Sequence, residues 1–208
     1  MLRQRRAATP LVSMELLARQ PVVVGIFLIF MATALMVAVF FLGSFYFQQH
    51  LGYNPILTGL LFLPVAIATM AGANAAGRLV AKLGLRALGA TGLLVGAAGL
   101  ALAGLLLSPV AAVIGVAIAA AGTGVLFVVA SATALGSVAP EEAGVASGVV
   151  STFHEFGASA GAAVMSSVAA VSLTGGTTSG FTAALVVAAG AAVVAAVITT
   201  IITPRTTT

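Results

Sequence analysis

The chain of 208 residues contains no cysteine, which removes disulfides, thiolate metal sites and thiol catalysis and leaves the redox compartment undetermined. Charge of either sign is scarce: Asp, Glu, Lys and Arg together make 6% of the residues, whereas 61% are apolar. An ordinary soluble domain carries about a quarter charged residues and under half apolar. A water-soluble core of this length would bury about two-thirds of the chain's surface, and the polar residues here are too few to coat the rest. The solvent for most of the chain is therefore lipid, and a lipid bilayer is its first partner. The net charge of +4 does not indicate nucleic acid. The eight basic residues stand in short runs between apolar segments, with no extended basic face and no interleaved aromatics.

What the chain has instead is length of apolar run. A hydrocarbon core about 30 Å thick needs about 20 helical residues, and six stretches meet that: roughly 22–48, 56–80, 87–107, 110–136, 142–171 and 181–203. The reading is an all-α, polytopic membrane protein: a cytoplasmic linker over 1–21, a six-helix transmembrane bundle over 22–203 and a cytoplasmic tail over 204–208. The basic start from Met1 to Arg6 followed by an apolar run has the outline of a secretory signal, but the run lasts to about Phe47 and five more follow. Punctuation falls at His50 to Pro55, Lys82 to Arg86, Ser108-Pro109, Ala139 to Glu142 and Thr174 to Gly180.

Lys and Arg in short loops stay on the cytoplasmic side. Arg3, Arg5, Arg6 and Arg19 precede the first span, Arg78, Lys82 and Arg86 surround the turn between the second and third, and Arg205 follows the sixth. The alternate loops, around Gly52, Ser108 and Gly175, contain neither residue. Both termini are expected in the cytoplasm, with the bundle in the cell membrane.

The spans are dense in small residues, including the four-residue spacings Gly92 to Gly96, Gly144 to Gly148 and Gly157 to Gly161. That spacing lets helix backbones approach closely in lipid, so ordinary packing is the reading for these glycines. Pro64 lies inside the second span, where its missing N–H predicts a kink; the kink serves either as a hinge or as a static bend.

Three segments carry a family resemblance: Tyr46-Phe47-Gln48-Gln49-His50-Leu51-Gly52-Tyr53-Asn54-Pro55 continuing to Gly59 and Phe62-Leu63-Pro64; Gly77-Arg78-Leu79-Val80-Ala81-Lys82-Leu83-Gly84-Leu85-Arg86; and Pro140-Glu141-Glu142-Ala143-Gly144-Val145-Ala146-Ser147-Gly148 running on to Gly157 and Gly161. In this order and spacing they resemble the last six spans of the fourteen-span drug:proton antiporters, a branch of the major facilitator superfamily, over residues 10 to 204. The resemblance implies one half-bundle built as a 3+3 inverted repeat, no cofactor, and proton-coupled efflux of amphipathic small molecules. The second segment resembles the superfamily's cytoplasmic loop motif, matched at Gly77, Arg78, Lys82, Gly84 and Arg86; Ala81 stands where the motif has an acid, which puts its charge pair in doubt. The resemblance also implies a missing amino-terminal half, so that this chain is a fragment, pairs with a second chain, or pairs with a second copy of itself.

One ionisable pair lies within a span. Counting from Gly144 at 1.5 Å per residue places His154 and Glu155 about 15 Å deep, near the midplane. A charge there costs at least about 2.5–3.5 kcal/mol, which makes the pair a candidate for proton coupling; the alternatives are a charge partner in the missing half or a role in helix packing. Gly148, Ser151, Glu155 and Ala158 share a helical face expected to turn toward the bundle interior or a water-filled cavity. In the superfamily the first and fourth helices of each half line the substrate cavity. That assigns Phe40, Ser44 and Gln48 on the first span and Thr123, Phe127 and Ser131 on the fourth, a mixed aromatic and hydroxyl lining suited to amphipathic molecules.

Enzyme readings fail on the residues. His154-Glu155-Phe156-Gly157-Ala158 has Ala158 where a zinc protease needs its second His, and with His50 at the opposite membrane face no metal site can form. Gly157-Ala158-Ser159-Ala160-Gly161 matches a nucleophile elbow by letter but sits mid-helix instead of at a strand-to-helix turn. An intramembrane serine protease is the distant enzyme alternative, and it lacks a His at the depth of a candidate Ser on another span. A non-transporting or self-associating membrane protein is the rival from another class.

Overall fold

The computed structural model describes residues 18–136, 138–174 and 177–203, and all of its regular structure is helical: α1 (Gln20–Phe45) running into a π-helical turn (Tyr46–His50), α2 (Pro55–Leu61), α3 (Leu63–Leu106), α4 (Pro109–Leu135), α5 (Ala143–Leu173) and α6 (Ser179–Ile202). Arg3, Arg5, Arg6, Arg205 and Gly175 lie outside the described residues. Five helical stretches are long and apolar enough to cross a membrane, where the sequence predicted six. The difference lies in Pro55–Leu106, a stretch of 52 residues and so more than twice the span a bilayer needs.

That stretch does not run straight. Gly84 has φ 73° and ψ 161°, a region of backbone space that is essentially glycine-only. Gly72, before it, packs on the backbone of Ala121, and Gly92, after it, packs on Gly122. Twenty residues of straight helix would separate those two glycines by about 30 Å, yet both meet the same turn of α4. The chain therefore doubles back at Gly84, with a first leg before it and a second leg after it, side by side against α4.

Pro64 likewise acts at a helix boundary. The break is at Phe62, which caps both α2 and α3 with φ −86° and ψ −6°, and Pro64 occupies the first turn of α3, where a missing N–H costs nothing. Ser108 and Asn54 cap the starts of α4 and α2 through their side chains, each with Pro directly after it.

Close approach of backbones holds the bundle. A methyl group added at Gly157 would collide with the carbonyl of Phe30, and one at Gly161 with that of Ala34, so α5 lies tight against α1. Gly99 and Gly115 join the second leg to α4, Gly25 joins α1 to the end of α4, and Gly124 receives Thr69 of the first leg. Gly144 and Gly148, by contrast, have open space where a side chain would stand. Hydroxyls inside the helices are satisfied locally: Thr33, Thr69, Thr133, Thr152, Ser159 and Thr199 each donate to the carbonyl four residues earlier.

The two ends of the bundle differ in chemistry. At one end Arg19 pairs with Glu142 at 3.0 Å and Gln20 donates to the carbonyl of Ile202. The Gly84 reversal lies toward this end too, because Gly89 packs against Thr199 and Leu28. All described basic residues, Arg19, Arg78, Lys82 and Arg86, thus belong to one end. At the other end an aromatic cluster closes the helices: Tyr46 donates from its hydroxyl to the carbonyl of Leu107, a residue in the left-handed region, and contacts Phe181, while Phe47 meets Tyr53 and Phe62.

Adding a side chain at Gly84 or Gly157 should be costly and adding one at Gly148 should not. We expect Gly84→Val to lose about 1–3 kcal/mol from backbone strain alone and Gly157→Val to lose a comparable amount from overpacking. Gly148→Val should stay near neutral, as read by thermal unfolding of the purified chain in detergent; equal losses at the three positions would refute this packing.

Candidate functional site

The helices form a row and a back. α1 packs between α5 and α4, and α4 between α1 and the first leg, while the second leg and α6 pack behind them. On α1 the side facing the second leg carries Leu28 and Leu35. At 100° per residue, Thr33, Phe40 and Ser44 lie on the opposite side of that helix, within about 40° of one another. They face the front of the row.

Two of the predicted residues, His154 and Phe127, meet there. His154 of α5 reaches the hydroxyl of Thr33 on α1 through Nδ1 at 3.3 Å, and its ring lies 5.8 Å from that of Phe127 on α4. One turn along, Thr123 of α4 is fully buried, donates to the carbonyl of Ala120 and touches the sulfur of Met36 on α1. Phe40 is 41% exposed and tilts against Phe62 with ring centroids 5.0 Å apart. Along the front of the row these contacts form a patch of three neighbouring sets: His154 with Thr33 and Phe127, the buried Thr123 with Met36, and Phe40 with Phe62 at the α2–α3 junction.

The other predicted cavity residues extend this patch without touching it. Ser44 is half-buried on the same stripe of α1; Gln48 is exposed in the π-helical turn, and Ser131 is exposed one turn beyond Phe127. Thr33 and Met36 are absent from the predicted lining. The signal for Thr33 was present: it precedes Phe40 by seven residues, two helical turns, on one stripe.

Of the two environments expected for Glu155, the bundle interior is not the one it occupies. On α5 the face toward α1 is Gly157 and Gly161. Glu155 is about 160° from Gly157 around the helix and is exposed, along with Gly144, Gly148, Ser151, Thr152 and Ser159. The shared face of Gly148, Ser151 and Glu155 therefore points out of this bundle and not into its interior. His154, one residue earlier, points inward, so the two ionisable groups serve different surfaces. Among the described residues the Glu155 carboxylate has no hydrogen-bond or ion-pair partner.

The cytoplasmic loop motif divides in the same manner. Gly84 makes the reversal, and Arg86 is half-buried just past it, whereas Gly77, Arg78 and Lys82 are exposed and Gly77 has open space around it. Among the described residues the sole ion pair is Arg19 with Glu142, so none of the motif's three cations is paired there. The described residues also hold no group of three metal-ligating side chains. Ser159 lies mid-helix with its hydroxyl bound to the carbonyl of Glu155, which is no geometry for a nucleophile.

The family model for the Major Facilitator Superfamily matches residues 2–162, a stretch that includes α1 to α4 and α5 as far as Ala162 and so contains the whole front patch. The chain belongs to the major facilitator superfamily. Superfamily relatives with assigned roles include the puromycin resistance protein pur8 of Streptomyces alboniger, 34% identical over 137 residues, which are 60% of this chain and 26% of that protein. A second is the multidrug efflux pump LfrA of Mycolicibacterium smegmatis, 29% identical over 169 residues, 80% of this chain and 34% of the pump. The chain thus aligns with about a quarter to a third of the length of these relatives. It is a membrane transporter-family protein similar to drug efflux and drug resistance proteins.

The contrast between the inward and outward faces of α5 is open to a direct chemical test, since the chain has no native thiol. Single cysteines at Ser151 and Glu155 should react readily with a maleimide in detergent. A cysteine at the buried Thr123 should react about tenfold more slowly or less; equal rates at the three positions would contradict the placement of α5.

Proposed function

We propose that this chain is the carboxy-terminal six-span half of a proton-coupled exporter of amphipathic small molecules, of the fourteen-span branch of its superfamily, acting in the cell membrane with both termini in the cytoplasm. The observation that carries the reading is the front patch, where half-buried His154 and Phe127 meet over the buried Thr33 and Phe40 stands exposed on the same stripe of α1, in a chain of a transporter superfamily. Apolar and aromatic surface with a few polar groups suits organic molecules bound with broad selectivity, and the drug efflux and resistance roles of the relatives agree with that class of substrate.

The finer architecture has support of the same kind. Counting the two legs at Gly84 separately makes six passes, and gathering the described basic residues at one end favours that end as cytoplasmic. α1 packs on α5 as α4 packs on the first leg, each through glycine contacts. Such an exchange of second helices is what a 3+3 inverted repeat produces.

The proton role rests on His154 and Glu155. His154 lies in the patch, where a proton and a substrate could compete. Glu155 lies on the polar outer face of α5, which lipid would solvate badly and a second six-helix bundle would cover. In this reading the second bundle is an amino-terminal half, and transport proceeds by one bundle rocking against the other, with Phe62 to Pro64 as a hinge and the remaining cavity residues Ser44, Gln48, Thr123 and Ser131 along its walls.

Dye export from cells tests the proposal. Cells making this chain with an amino-terminal half from a relative should export, and cells making the chain alone should not; export by the lone chain would overturn the half-transporter reading. His154→Gln and Glu155→Gln should each lower proton-driven export at least about tenfold while downhill equilibration of the dye persists. Export with unchanged rate and pH dependence in both variants would remove the proton assignment.

A further inference from the structure

Among the described residues His154 makes one hydrogen bond, and the direction of that bond fixes its chemistry. The Thr33 hydroxyl has a single proton. It lies 2.8 Å from the carbonyl oxygen of Ile29 and 3.3 Å from Nδ1 of His154. The carbonyl can only accept, and the shorter contact is the one that a buried threonine in a helix makes by default. With its proton committed to Ile29, Thr33 can offer His154 only a lone pair. Nδ1 must then carry hydrogen, since two facing lone pairs would repel.

We infer that Thr33 is a positioning residue that holds neutral His154 as the Nδ1–H tautomer, leaving the Nε2 lone pair as the proton acceptor of the front patch. Nε2 makes no hydrogen bond to any described residue, and His154 is half-buried, so this nitrogen is neither satisfied nor sealed. A free imidazole prefers its proton on Nε2; the partner of the other nitrogen decides the matter in a protein. The groups facing the ring are Thr33 from α1 and Phe127 from α4, and Glu155 on its own helix is turned about 100° away. No other ionisable side chain among the described residues faces it. The arrangement thus separates two functions on one ring. Nδ1 is tied to the scaffold of α1 and sets orientation, while Nε2 takes and returns a proton without breaking that tie, because Nδ1–H is present in both the neutral and the cationic form.

The inference rests on the proton role proposed for His154, but its structural part can be tested without transport. The full chain carrying His50→Gln, so that His154 is the sole imidazole, is labelled with nitrogen-15 histidine and read by solid-state NMR in bilayers at alkaline pH. The Nδ1–H tautomer is expected in this background and with Thr33→Ser, and the Nε2–H tautomer with Thr33→Val. An Nε2–H signature in the starting chain, or no change with Thr33→Val, overturns the inference. In export assays with an amino-terminal half, Thr33→Val should lose at least about tenfold in proton-driven export, and Thr33→Ser should restore it. A tautomer change with undiminished export overturns Nε2 as the acceptor. Loss of proton dependence being absent in His154→Gln would instead sink the proposed proton role, with the NMR result still standing on its own.

Discussion

Backbone contact between helices is the constraint on which everything else in this protein depends. In lipid no hydrophobic effect drives helices together, and packing energy comes from the closeness of approach. Here that closeness is supplied by glycines set opposite one another or opposite a carbonyl: Gly72 on Ala121, Gly92 and Gly122, Gly99 and Gly115, Gly157 on Phe30, Gly161 on Ala34. Two helices, α1 and α4, receive most of these contacts and form the spine. Because α1 and α4 meet without large side chains between them at Gly25 and Ala134, the bulkier residues they carry are free to stand on the front of the row.

The front patch is a by-product of that spine. α5 can bring His154 to Thr33 only because Gly157 and Gly161 admit the backbone of α1 on the adjacent face. A side chain at either glycine would lift α5 by more than the tolerance of a 3.3 Å hydrogen bond. The imidazole is therefore located by residues that contribute nothing to its chemistry. Thr123 is in a similar position, its hydroxyl turned to its own helix and its neighbour Met36 filling the gap with a flexible thioether.

Much of this was legible from the residue order. Hydrophobic length marked every membrane-capable helix, and the loop signals at Asn54-Pro55 and Ser108-Pro109 became side-chain caps at α2 and α4. The reversal at Gly84 was visible as a motif glycine among basic residues; the two legs meet at that single non-helical residue with no intervening loop, so one apolar stretch runs where two separate spans were expected. The direction of Glu155 was not legible. A polar stripe on a helix declares that it avoids lipid, but it does not say whether it turns into its own bundle or away from it. That choice is made by Gly157 and Gly161, whose pairing with α1 instead of another helix is a tertiary fact. Thr33 escaped notice because an isolated threonine in an apolar run reads as ordinary packing until a neighbour of the right chemistry is placed beside it.

In the proposed half-transporter, the outward Glu155 would also bias the bilayer toward assembled over solitary bundles. A carboxylate turned to lipid near the midplane costs about 2.5–3.5 kcal/mol, which corresponds to roughly a hundredfold bias between two states that differ only in whether that face is covered. In that reading the penalty falls on the solitary bundle and is relieved when a second bundle covers this face of α5.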